Sequence, residues 1–547
     1  MRIKNGSSLR STSSVDQVLE YHQKTKHQFN KYADGPEFLD WDLQPNPYRE
    51  FSDTKKIPLT LDLQNINCSY ESLYDQQAPT PCLTLNKDSL GILMGLSMGL
   101  SAHKEYMGDR WSVRCNPSSG NLHPTEAYVI SKNISGLQNG VYHYLSKNHE
   151  LEQRMLSHHT SNDDSPELHI ALSSIYWREA WKYGERAYRY CQLDVGHALA
   201  AINYATSCLG WKTHLYQTYS AEDIARLCGI DRKSDFEKAE AESADLLLKV
   251  MPDNSSANAT AQTDIFNLEG KWFGQANLLD RYPMYRWPVI EQVSDASALI
   301  ATDKQKNKDP DFPKLTLADE STLAKQLIYR RRSAQHFDKQ THMSQNDFYA
   351  LLDKCLYRPD TLPWSSLAEV FPMLCLFYVH RVQDLTPGVY LLANTGLPDH
   401  TLKKLFQKDM LWQKAEACPE HIPFYLLTSS DAQKFSKQVS CHQGIACDGA
   451  FSLSMMFEFE KNIQEQIMNY RKLHWQAGLL GQTLYLEAES YGLQGTGIGC
   501  FFDDAIHESF GISDKEYQVL YNFTVGAALN DSRIQTLPVY PRLQMNL

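Results

Sequence analysis

The sequence predicts two related domains in one chain, each built from helices and strands. Three observations support this prediction. With 547 residues, the chain exceeds the size at which a single hydrophobic core keeps growing. Glycines recur at fixed spacings in both halves, and apolar runs of helical or strand-like periodicity recur in the same order around them.

Three glycines in each half define the repeat. They share two ungapped spacings of 14 and 19 residues at a constant offset of 282 residues: Gly196, Gly210 and Gly229, then Gly478, Gly492 and Gly511. Apolar residues at helical intervals between the first two glycines predict a helix in each copy. A second match aligns the strand-like Gly140-Val141-Tyr142 with Gly388-Val389-Tyr390. Two independent registers indicate duplication.

Two polar runs predict the boundary between the copies. Residues 253–263 are rich in Asn, Ser, Ala and Thr, and residues 303–311 are rich in Lys and Asp. Both compositions are typical of exposed linkers. We therefore place a first domain with an N-terminal extension at residues 1–300 and a second domain at residues 301–547.

Composition excludes several classes of function. The chain is 42% hydrophobic and 22% charged, which is typical of a folded globular protein. Its net charge of -12 is not concentrated in a run, which argues against nucleic-acid binding and a membrane-surface role. Twelve cysteines without a Cys-x-x-Cys pair predict reduced thiols, a cytoplasmic location and no metal site. We interpret residues 1–14 as a frayed terminus, with a short transit sequence as the alternative.

The segment Tyr329–Asp338 contains an Arg-Arg-Ser sequence. It resembles the opening of the nitroreductase superfamily, in which Arg and Ser hold the phosphate of FMN. Arginine suits phosphate because its planar donors match the oxygens and stay charged. The resemblance implies phosphate contacts from Arg331, Arg332, Ser333 and Gln335.

The segment Asn116–Pro124 resembles the Pro-Ser-x-x-Asn-x-x-Pro loop of the same superfamily. In the family this loop reaches across a dimer interface to the flavin of the partner. The implied flavin contacts are Pro117, Ser118, Ser119 and Asn121. Arg114, three residues before this loop, is expected to meet the flavin or a substrate carboxylate; a surface ion pair is the alternative.

Two further segments resemble flavin-binding parts of this superfamily. Gly492–Gly499 is similar to its glycine-rich strand, where absent side chains let the backbone approach the ring. This similarity implies contacts from Gly495, Thr496, Gly497 and Ile498. Asp531-Ser532-Arg533 is similar to a late basic element, which makes Arg533 a further candidate for the phosphate.

More narrowly, Tyr21-His22, Thr25-Lys26 and Trp181–Tyr190 resemble the SagB-type branch, which includes the azoline oxidases. That resemblance implies that Lys182 and Tyr183 lie near the flavin. Lys182 would take a proton during substrate oxidation if burial or a cationic neighbour lowers its pKa. The alternative is an amphipathic segment with a solvated lysine.

Each copy lacks a different part of the site. Bulky Thr213–Gln217 lies opposite Gly495–Gly499, and Ser365–Glu369 lies opposite Pro117–Asn121. Aligning Asp88 with Asp347 also places Ser72–Tyr74 opposite the Arg-Arg-Ser residues. Because the losses are complementary, we expect one FMN per chain, bound by parts of both halves.

The resemblance implies an α+β protein whose two domains each carry a mixed, mainly antiparallel sheet with flanking helices, arranged as a monomeric, intramolecular pseudo-dimer. The expected activity is FMN-dependent dehydrogenation, by two electrons, of a small or peptide-derived substrate. Two alternatives remain open: an NAD(P)H-dependent reductase of nitro compounds or quinones, and a flavin-binding or partner-binding scaffold without turnover.

Overall fold

A computed structural model describes most of the chain. The described residues are 4–10, 13–75, 82–158, 165–252, 269–302, 310, 312–318, 322–367, 369–397, 399–406, 409–513 and 516–543. The predicted linker 253–263 and nearly all of 303–311 lie outside these ranges, so the domain boundary near residue 300 stays a prediction.

The helices alternate with strands along the chain. Their bounds are α1 Ser14–Lys24, α2 Lys87–Ser97, α3 Tyr176–Tyr183, α4 Ala187–Cys208, α5 Ala221–Cys228, α6 Pro288–Ala296, α7 Ala324–Arg330, α8 Gln345–Cys355, α9 Asp399–Leu405, α10 Gln433–Val439, α11 Ile445–Asp448, α12 Glu460–Glu465, α13 Asn469–Ser490 and α14 Asp503–Phe510. Polar caps start several of them; the side chain of Asn86 accepts from the first turn of α2, and that of Ser220 from α5.

The strands fall into two large sheets and three small ones. Those of the first half are β1 Lys4–Asn5, β2 Phe51–Ser52, β3 Lys56–Pro58, β4 Leu100–Tyr106, β5 Asp109–Arg114, β6 Thr125–Lys132, β7 Gly140–Leu145, β8 Glu150–Ser157, β9 Glu167–Ser174, β10 Trp211–Leu215, β11 Ser243–Pro252, β12 Gly270–Trp272, β13 Gln275–Ala276 and β14 Tyr285–Arg286. Those of the second half are β15 Met373–Val379, β16 Gly388–Ala393, β17 Gln413–Lys414, β18 Phe424–Thr428, β19 Phe451–Glu458, β20 Gln494–Ile498, β21 Tyr517–Gly526 and β22 Gln535–Leu537.

Six strands of each large sheet follow the same order, and the seventh differs: β12 comes after the other six along the chain, whereas β17 lies between β16 and β18. The first runs β10-β11-β9-β6-β7-β8-β12, with β3 also paired to β8, and the second runs β20-β21-β19-β15-β16-β18-β17. Both copies of the glycine repeat therefore occupy the same place in their sheets. The predicted α+β class is confirmed. The strand pairings described in both sheets are antiparallel, where a mixed pattern was expected.

The long helices α4 and α13 pack against each other at their glycines. A Cβ atom on Gly196 would lie 2.2 Å from the carbonyl oxygen of Trp475, and one on Gly478 would lie 2.1 Å from that of Leu193. Only glycine permits this approach. Gly478 lies 282 residues after Gly196, and Trp475 lies 282 residues after Leu193. The two contacts are therefore equivalent, with the roles of the two helices exchanged. Among the described helices, none combines the length and the apolar character that crossing a membrane requires.

The end of the chain returns to the first half. Strand β22 pairs with β4, with Gln535 opposite Glu105 and Leu537 opposite His103, and β4 pairs in turn with β5. Strand β5 ends at Arg114. This three-stranded sheet therefore brings the C-terminal segment alongside the strand that leads into the Asn116–Pro124 loop.

Candidate active site

Three arginines from the two halves form a cluster. Arg114 and Arg331 are buried, Arg332 is half-buried, and the Arg331 guanidinium donates to the backbone oxygen of Arg114 at 2.9 Å. The remaining guanidinium hydrogen bonds go to backbone carbonyls and to the hydroxyl of Ser101, and the backbone nitrogen of Arg332 donates to the Glu489 carboxylate at 3.1 Å. In the described part of the chain, none of the three guanidinium groups forms an ion pair.

The charge of this cluster is incompletely compensated. The Nε atoms of Arg114 and Arg331 are buried without a hydrogen-bond partner. Burial lowers the pKa of Arg331, and burial together with the neighbouring Arg331 charge lowers the pKa of Arg332 to about 10. Buried cations are costly unless an anion or carboxylate pairs with them. The cluster therefore suits an anionic group such as a phosphate.

Tyr485 of α13 joins this cluster to the glycine strand β20. Its ring lies 5.0 Å from the Arg331 guanidinium carbon, and its hydroxyl lies 2.9 Å from the Ser333 hydroxyl. The same hydroxyl accepts a hydrogen bond from the backbone nitrogen of Gly497 at 3.0 Å. An isolated bridge pairs Ser333 with Gly495. The Arg-Arg-Ser segment and the glycine strand thus lie side by side.

The glycines of β20 are required by their neighbours. A Cβ atom on Gly497 would lie 1.8 Å from the Tyr521 hydroxyl oxygen, and one on Gly495 would lie 2.7 Å from the Phe523 ring. Thr496 and Gly497 are half-exposed, whereas Ile498 is buried. The Thr496 hydroxyl donates to a backbone oxygen of the Arg-Arg-Ser segment at 2.6 Å. Strand β20 therefore has partly exposed backbone at Thr496 and Gly497.

The Asn116–Pro124 loop is fixed by Asp194 of α4. The backbone nitrogen and the hydroxyl of Ser119 donate to the Asp194 carboxylate at 3.0 and 2.9 Å. Burial raises the pKa of Asp194 to about 7, although the hydrogen bonds from Ser118 and Ser119 oppose that shift. The sequence analysis missed Asp194. Its place two residues before Gly196 was the available signal.

Other contacts give the loop its shape. Pro117 is buried, and the Ser118 hydroxyl accepts from the backbone nitrogen of His123 at 2.8 Å. Asn121 has a left-handed φ of 59° and its amide donates to the backbone oxygen of Ser112 at 2.9 Å. Asparagine tolerates this conformation better than most residues.

Lys182 and Tyr183, at the end of α3, contact this loop. A Cβ atom on Gly120 would lie 2.6 Å from the Tyr183 hydroxyl oxygen and 3.2 Å from Lys182 Nζ. The Tyr183 ring packs edge-on against Tyr190 at 4.7 Å. Burial lowers the pKa of Lys182, while the nearby Glu179 opposes the shift. Lys182 is therefore not a fully solvated surface lysine.

Glu179, one helical turn before Lys182, was missed by the sequence analysis. It is fully buried, and neither carboxyl oxygen has a hydrogen-bond partner among the described residues. Burial raises the pKa of Glu179 well above its usual range, and the Asp194 charge adds to this shift. Buried polar groups without partners are rare in native proteins. Glu179 is thus a buried acid with a raised pKa beside Lys182.

One predicted residue, Arg533, lies away from the cluster. Arg533 is exposed, pairs with Asp531 at 2.6 Å and stacks on Tyr106 at the far end of β4. Arg332 contacts Ser101 near the start of that strand. Five residues of strand span about 17 Å. Gln335 is exposed. The structure therefore does not bring Arg533 to the other arginines.

Residues of the two halves contact each other at the candidate site. Arg331 of the second half meets Arg114 of the first, and the His197 Nε2 atom of α4 lies 2.9 Å from the Tyr521 hydroxyl of β21. The alternative of a surface ion pair for Arg114 is not found, because this residue is buried without one.

Comparisons with known proteins agree with this architecture. Residues 410–527 match the family described as the nitroreductase family. A Methanocaldococcus jannaschii protein named "putative nitroreductase" is 28% identical over 115 residues, which are 19% of this chain and 58% of that relative. The chain therefore spans little more than half the length of this curated relative.

Solved structures show the fold over nearly the whole chain. The crystal structure of a "putative nitroreductase" from Anabaena variabilis superposes with a TM-score of 0.66 at 22% identity, covering 94% of this chain and 99% of the other. The Escherichia coli microcin synthetase McbBCD complex gives a TM-score of 0.26 at 17% identity over 37% of this chain and 70% of the other. The first similarity shows a nitroreductase-like fold; the second is too weak to carry an argument.

Proposed function

We propose that this protein is an FMN-dependent oxidoreductase with one flavin site per chain, assembled from both halves. It would remove two electrons from a small or peptide-derived substrate, in the manner of the SagB-type azoline oxidases. The observation that carries this proposal is the cluster of three arginines without a carboxylate partner, next to the open glycine strand. The family match over residues 410–527 includes that strand.

Duplication and a pseudo-dimeric arrangement are part of the proposal. The order that six strands of each large sheet share supports duplication. The reciprocal contact of Gly196 with Trp475 and of Gly478 with Leu193 is the pattern of a twofold interface, in which residue i meets j and j meets i. The chain would then work as a monomer in which each half takes the place of a protomer.

The residues present fit FMN. The unpartnered guanidinium donors of Arg114 and Arg331, with Arg332, match the charge of a phosphate. Ser333 and the polar loop residues Ser118, Ser119 and Asn121 would bind the sugar-alcohol chain and ring. FMN, when bound, supplies the two-electron chemistry, and the protein supplies binding, orientation and electrostatics.

Proton transfer is assigned to Lys182 with Glu179 behind it. With its pKa lowered by burial, Lys182 can hold a neutral amine that accepts a proton from the substrate. Burial raises the pKa of Glu179 and so favours its protonated form, which would not hold Lys182 charged as the carboxylate does. Tyr183 lies against the loop and packs on Tyr190, which orients its hydroxyl.

Flavin stoichiometry tests the proposal directly. The purified chain is saturated with FMN, freed of excess, and denatured to release the flavin, whose absorbance is compared with the protein concentration. We expect one FMN per chain, because each half lacks a different part of the site. Two per chain would contradict the complementary site, and none would contradict flavin binding altogether.

A second candidate is the NAD(P)H-dependent reduction of nitro compounds or quinones. The names of the two matched nitroreductases favour it. Anaerobic mixing of the flavin-loaded protein with NADH or NADPH distinguishes the two: bleaching of the flavin by either nucleotide supports the reductase, and bleaching by an azoline peptide alone supports the oxidase. Bound flavin that no donor reduces would favour a scaffold without turnover.

A further inference from the structure

Two cysteines meet beyond the end of the glycine strand. The backbone nitrogen of Phe502, two residues after Cys500, donates to the oxygen of Val439, two residues before Cys441, at 2.7 Å. The Gln443 amide donates to the backbone oxygen of Cys500 at 3.1 Å. These bonds bring the two cysteines together, and each thiol shifts the pKa of the other.

The backbone at Cys441 is strained. Cys441 has a φ of 51° and His442 a φ of 61°, so two consecutive residues with side chains are left-handed. Such conformations cost about 1–3 kcal/mol each and concentrate at functional sites. The His442 ring packs on the Phe502 ring at 5.3 Å, which helps to hold the loop. The contact between the two sulfurs thus persists against backbone strain.

An imidazole of fixed tautomer faces Cys500. The backbone nitrogen of Ala33 donates to His27 Nδ1 at 3.0 Å, so the neutral ring carries its proton on Nε2. The His27 ring and the Arg186 charge lie close enough to Cys500 to lower the pKa of its thiol. The hydrogen bond from Cys441, with these two groups, lowers the pKa of Cys500 to about 5, while the pKa of Cys441 rises.

These contacts give the two sulfurs different roles. The pKa of Cys500 is lowered and that of Cys441 is raised, so Cys500 ionises more readily to the thiolate, the form that attacks a disulfide. Both residues are half-exposed, so a small molecule can reach them. Within the described ranges, no group of three potential metal ligands has the geometry of a metal site. The cluster thus has the parts of a redox-active dithiol.

We propose that Cys441 and Cys500 form a reversible dithiol–disulfide pair that exchanges with small-molecule disulfides. The Cys500 thiolate attacks one sulfur of the external disulfide, which forms a mixed disulfide and releases one thiolate. Cys441 then loses its proton to that thiolate, and its sulfur attacks Cys500 and displaces the second thiolate. The protein is oxidised by two electrons, and the external disulfide is reduced to one thiol and one thiolate.

The chain contains a natural comparison for this pair. The Cys68 thiol donates to the backbone oxygen of Cys208 at 3.9 Å, and the two thiols shift each other's pKa; here, however, Cys208 is buried and the charged neighbour is Lys325 rather than an imidazole. If His27 matters, Cys441 and Cys500 should oxidise faster than this second pair. The inference does not depend on the proposed flavin chemistry, since it needs no bound flavin.

Disulfide mapping tests the proposal. The reduced full-length chain is incubated with oxidised glutathione, free thiols are alkylated, and the digest is analysed by mass spectrometry. We expect a peptide that links Cys441 to Cys500, and, in the Cys441→Ser variant, glutathione trapped on Cys500. A Cys441–Cys500 link that fails to form, or a link between Cys68 and Cys208 that forms equally fast, would overturn the proposal.

Alkylation rates test the assignment of the nucleophile. At pH 6 a thiol of pKa about 5 is almost fully ionised, whereas an ordinary cysteine is mostly protonated. The thiolate of lower pKa is a weaker nucleophile than an ordinary thiolate. Together the two effects predict alkylation of Cys500 about tenfold faster than that of an ordinary cysteine. The titratable and charged groups that face Cys500 are Cys441, His27, Arg186, Tyr32, Tyr183 and Tyr190. His27→Gln should raise the pH midpoint of Cys500 alkylation, and Cys68→Ser should leave it unchanged. An unchanged midpoint in His27→Gln would exclude the imidazole from the mechanism.

Discussion

The glycine strand β20 and its counterpart β10 occupy the same place in their two sheets. The two strands nevertheless carry side chains of different size. Where β20 has Gly497, β10 has Leu215, and where Gly499 follows β20, Gln217 follows β10. A cavity of about 490 Å³, including its open mouth, remains on the first-half side. Its walls include Leu215, Tyr216, Leu367, Met468 and Trp475. Side chains at the two places therefore decide what each can bind.

Charge differs between the two places as sharply as shape. The second-half site has arginines without carboxylate partners. At the counterpart cavity Lys472 pairs with Glu369 at 3.3 Å, and Glu369 stands in the loop position that Asn121 holds in the other copy. A neutralised lysine offers little to a phosphate. Under the proposed function, a retained backbone with exchanged side chains would let one half bind an anionic cofactor that the other does not.

Exchanging the strand residues gives the strongest test of this comparison. Gly497→Leu places the counterpart side chain in β20, where its Cβ atom would lie 1.8 Å from the Tyr521 hydroxyl oxygen. We expect complete loss of FMN binding, measured by flavin released per chain. Gly444→Ala is the matched control, because its nearest contact would be 3.5 Å away. Leu215→Gly should not create a second flavin site, since the first half also lacks the arginines. Full occupancy in Gly497→Leu would contradict the site.

A substitution of Lys182 separates an effect on FMN binding from an effect on turnover. With Lys182→Met we expect turnover of an azoline peptide to fall about 10²- to 10⁴-fold, the usual contribution of a positioned acid or base, while FMN occupancy is unchanged. Lys472→Met, at the counterpart cavity, should leave turnover unaltered. Steady-state rates and flavin content measure both effects. Normal turnover in Lys182→Met would favour the interpretation of this lysine as part of an ordinary amphipathic segment.

We expect Arg331 to increase the affinity for FMN and to lower the stability of the flavin-free protein. Arg331→Met removes charge-assisted hydrogen bonds worth about 1.5–3 kcal/mol, so FMN affinity should fall about 10- to 150-fold. Because the guanidinium is buried without an anionic partner, the flavin-free variant should be more stable by about 1 kcal/mol. Flavin titration and urea unfolding measure the two effects. Arg533→Ala, exposed and paired with Asp531, should change neither.

The sequence predicted the elements that local patterns encode. Glycine spacing located α4, α13 and the two strands that follow them, because helix crossing and close packing restrict those positions to glycine. The loop before Pro124 and the Arg-Arg-Ser segment could be recognised from their residues. One alignment was off by a residue: α2 begins at Lys87 and α8 at Gln345, which places Leu73, rather than Ser72, opposite Arg331.

Features that depend on long-range packing could not be predicted. Glu179 and Asp194 look like ordinary polar helix residues, and only tertiary burial changes their protonation. Arg533 matched a motif, but its strand pairing carries it to the far end of β4. Pairing between distant segments and burial are properties of the assembled core, which residue spacing does not report.

Asp194 and Gln476 provide the finest test, since they hold corresponding helix positions in the two copies. Asp194 accepts from the Ser119 backbone nitrogen, and Gln476 accepts from that of Phe371 at 2.8 Å. Because burial raises the pKa of Asp194 to about 7, the folded protein retains a proton that the unfolded chain releases near pH 4. Stability from this group is therefore present at low pH and lost as the pH rises towards 7.

Asp194→Asn keeps the acceptor and removes the titration. We expect it to raise the free energy of unfolding by about 2 kcal/mol at pH 8 and to change it little at pH 4. Gln476→Glu, the reciprocal change, should introduce the same loss of stability with rising pH, since Gln476 is equally buried. Urea unfolding at both pH values measures the differences. If Asp194→Asn changes the free energy of unfolding equally at both pH values, Asp194 is a carboxylate at pH 4 as well as at pH 8. The pH dependence expected for this position would then be wrong.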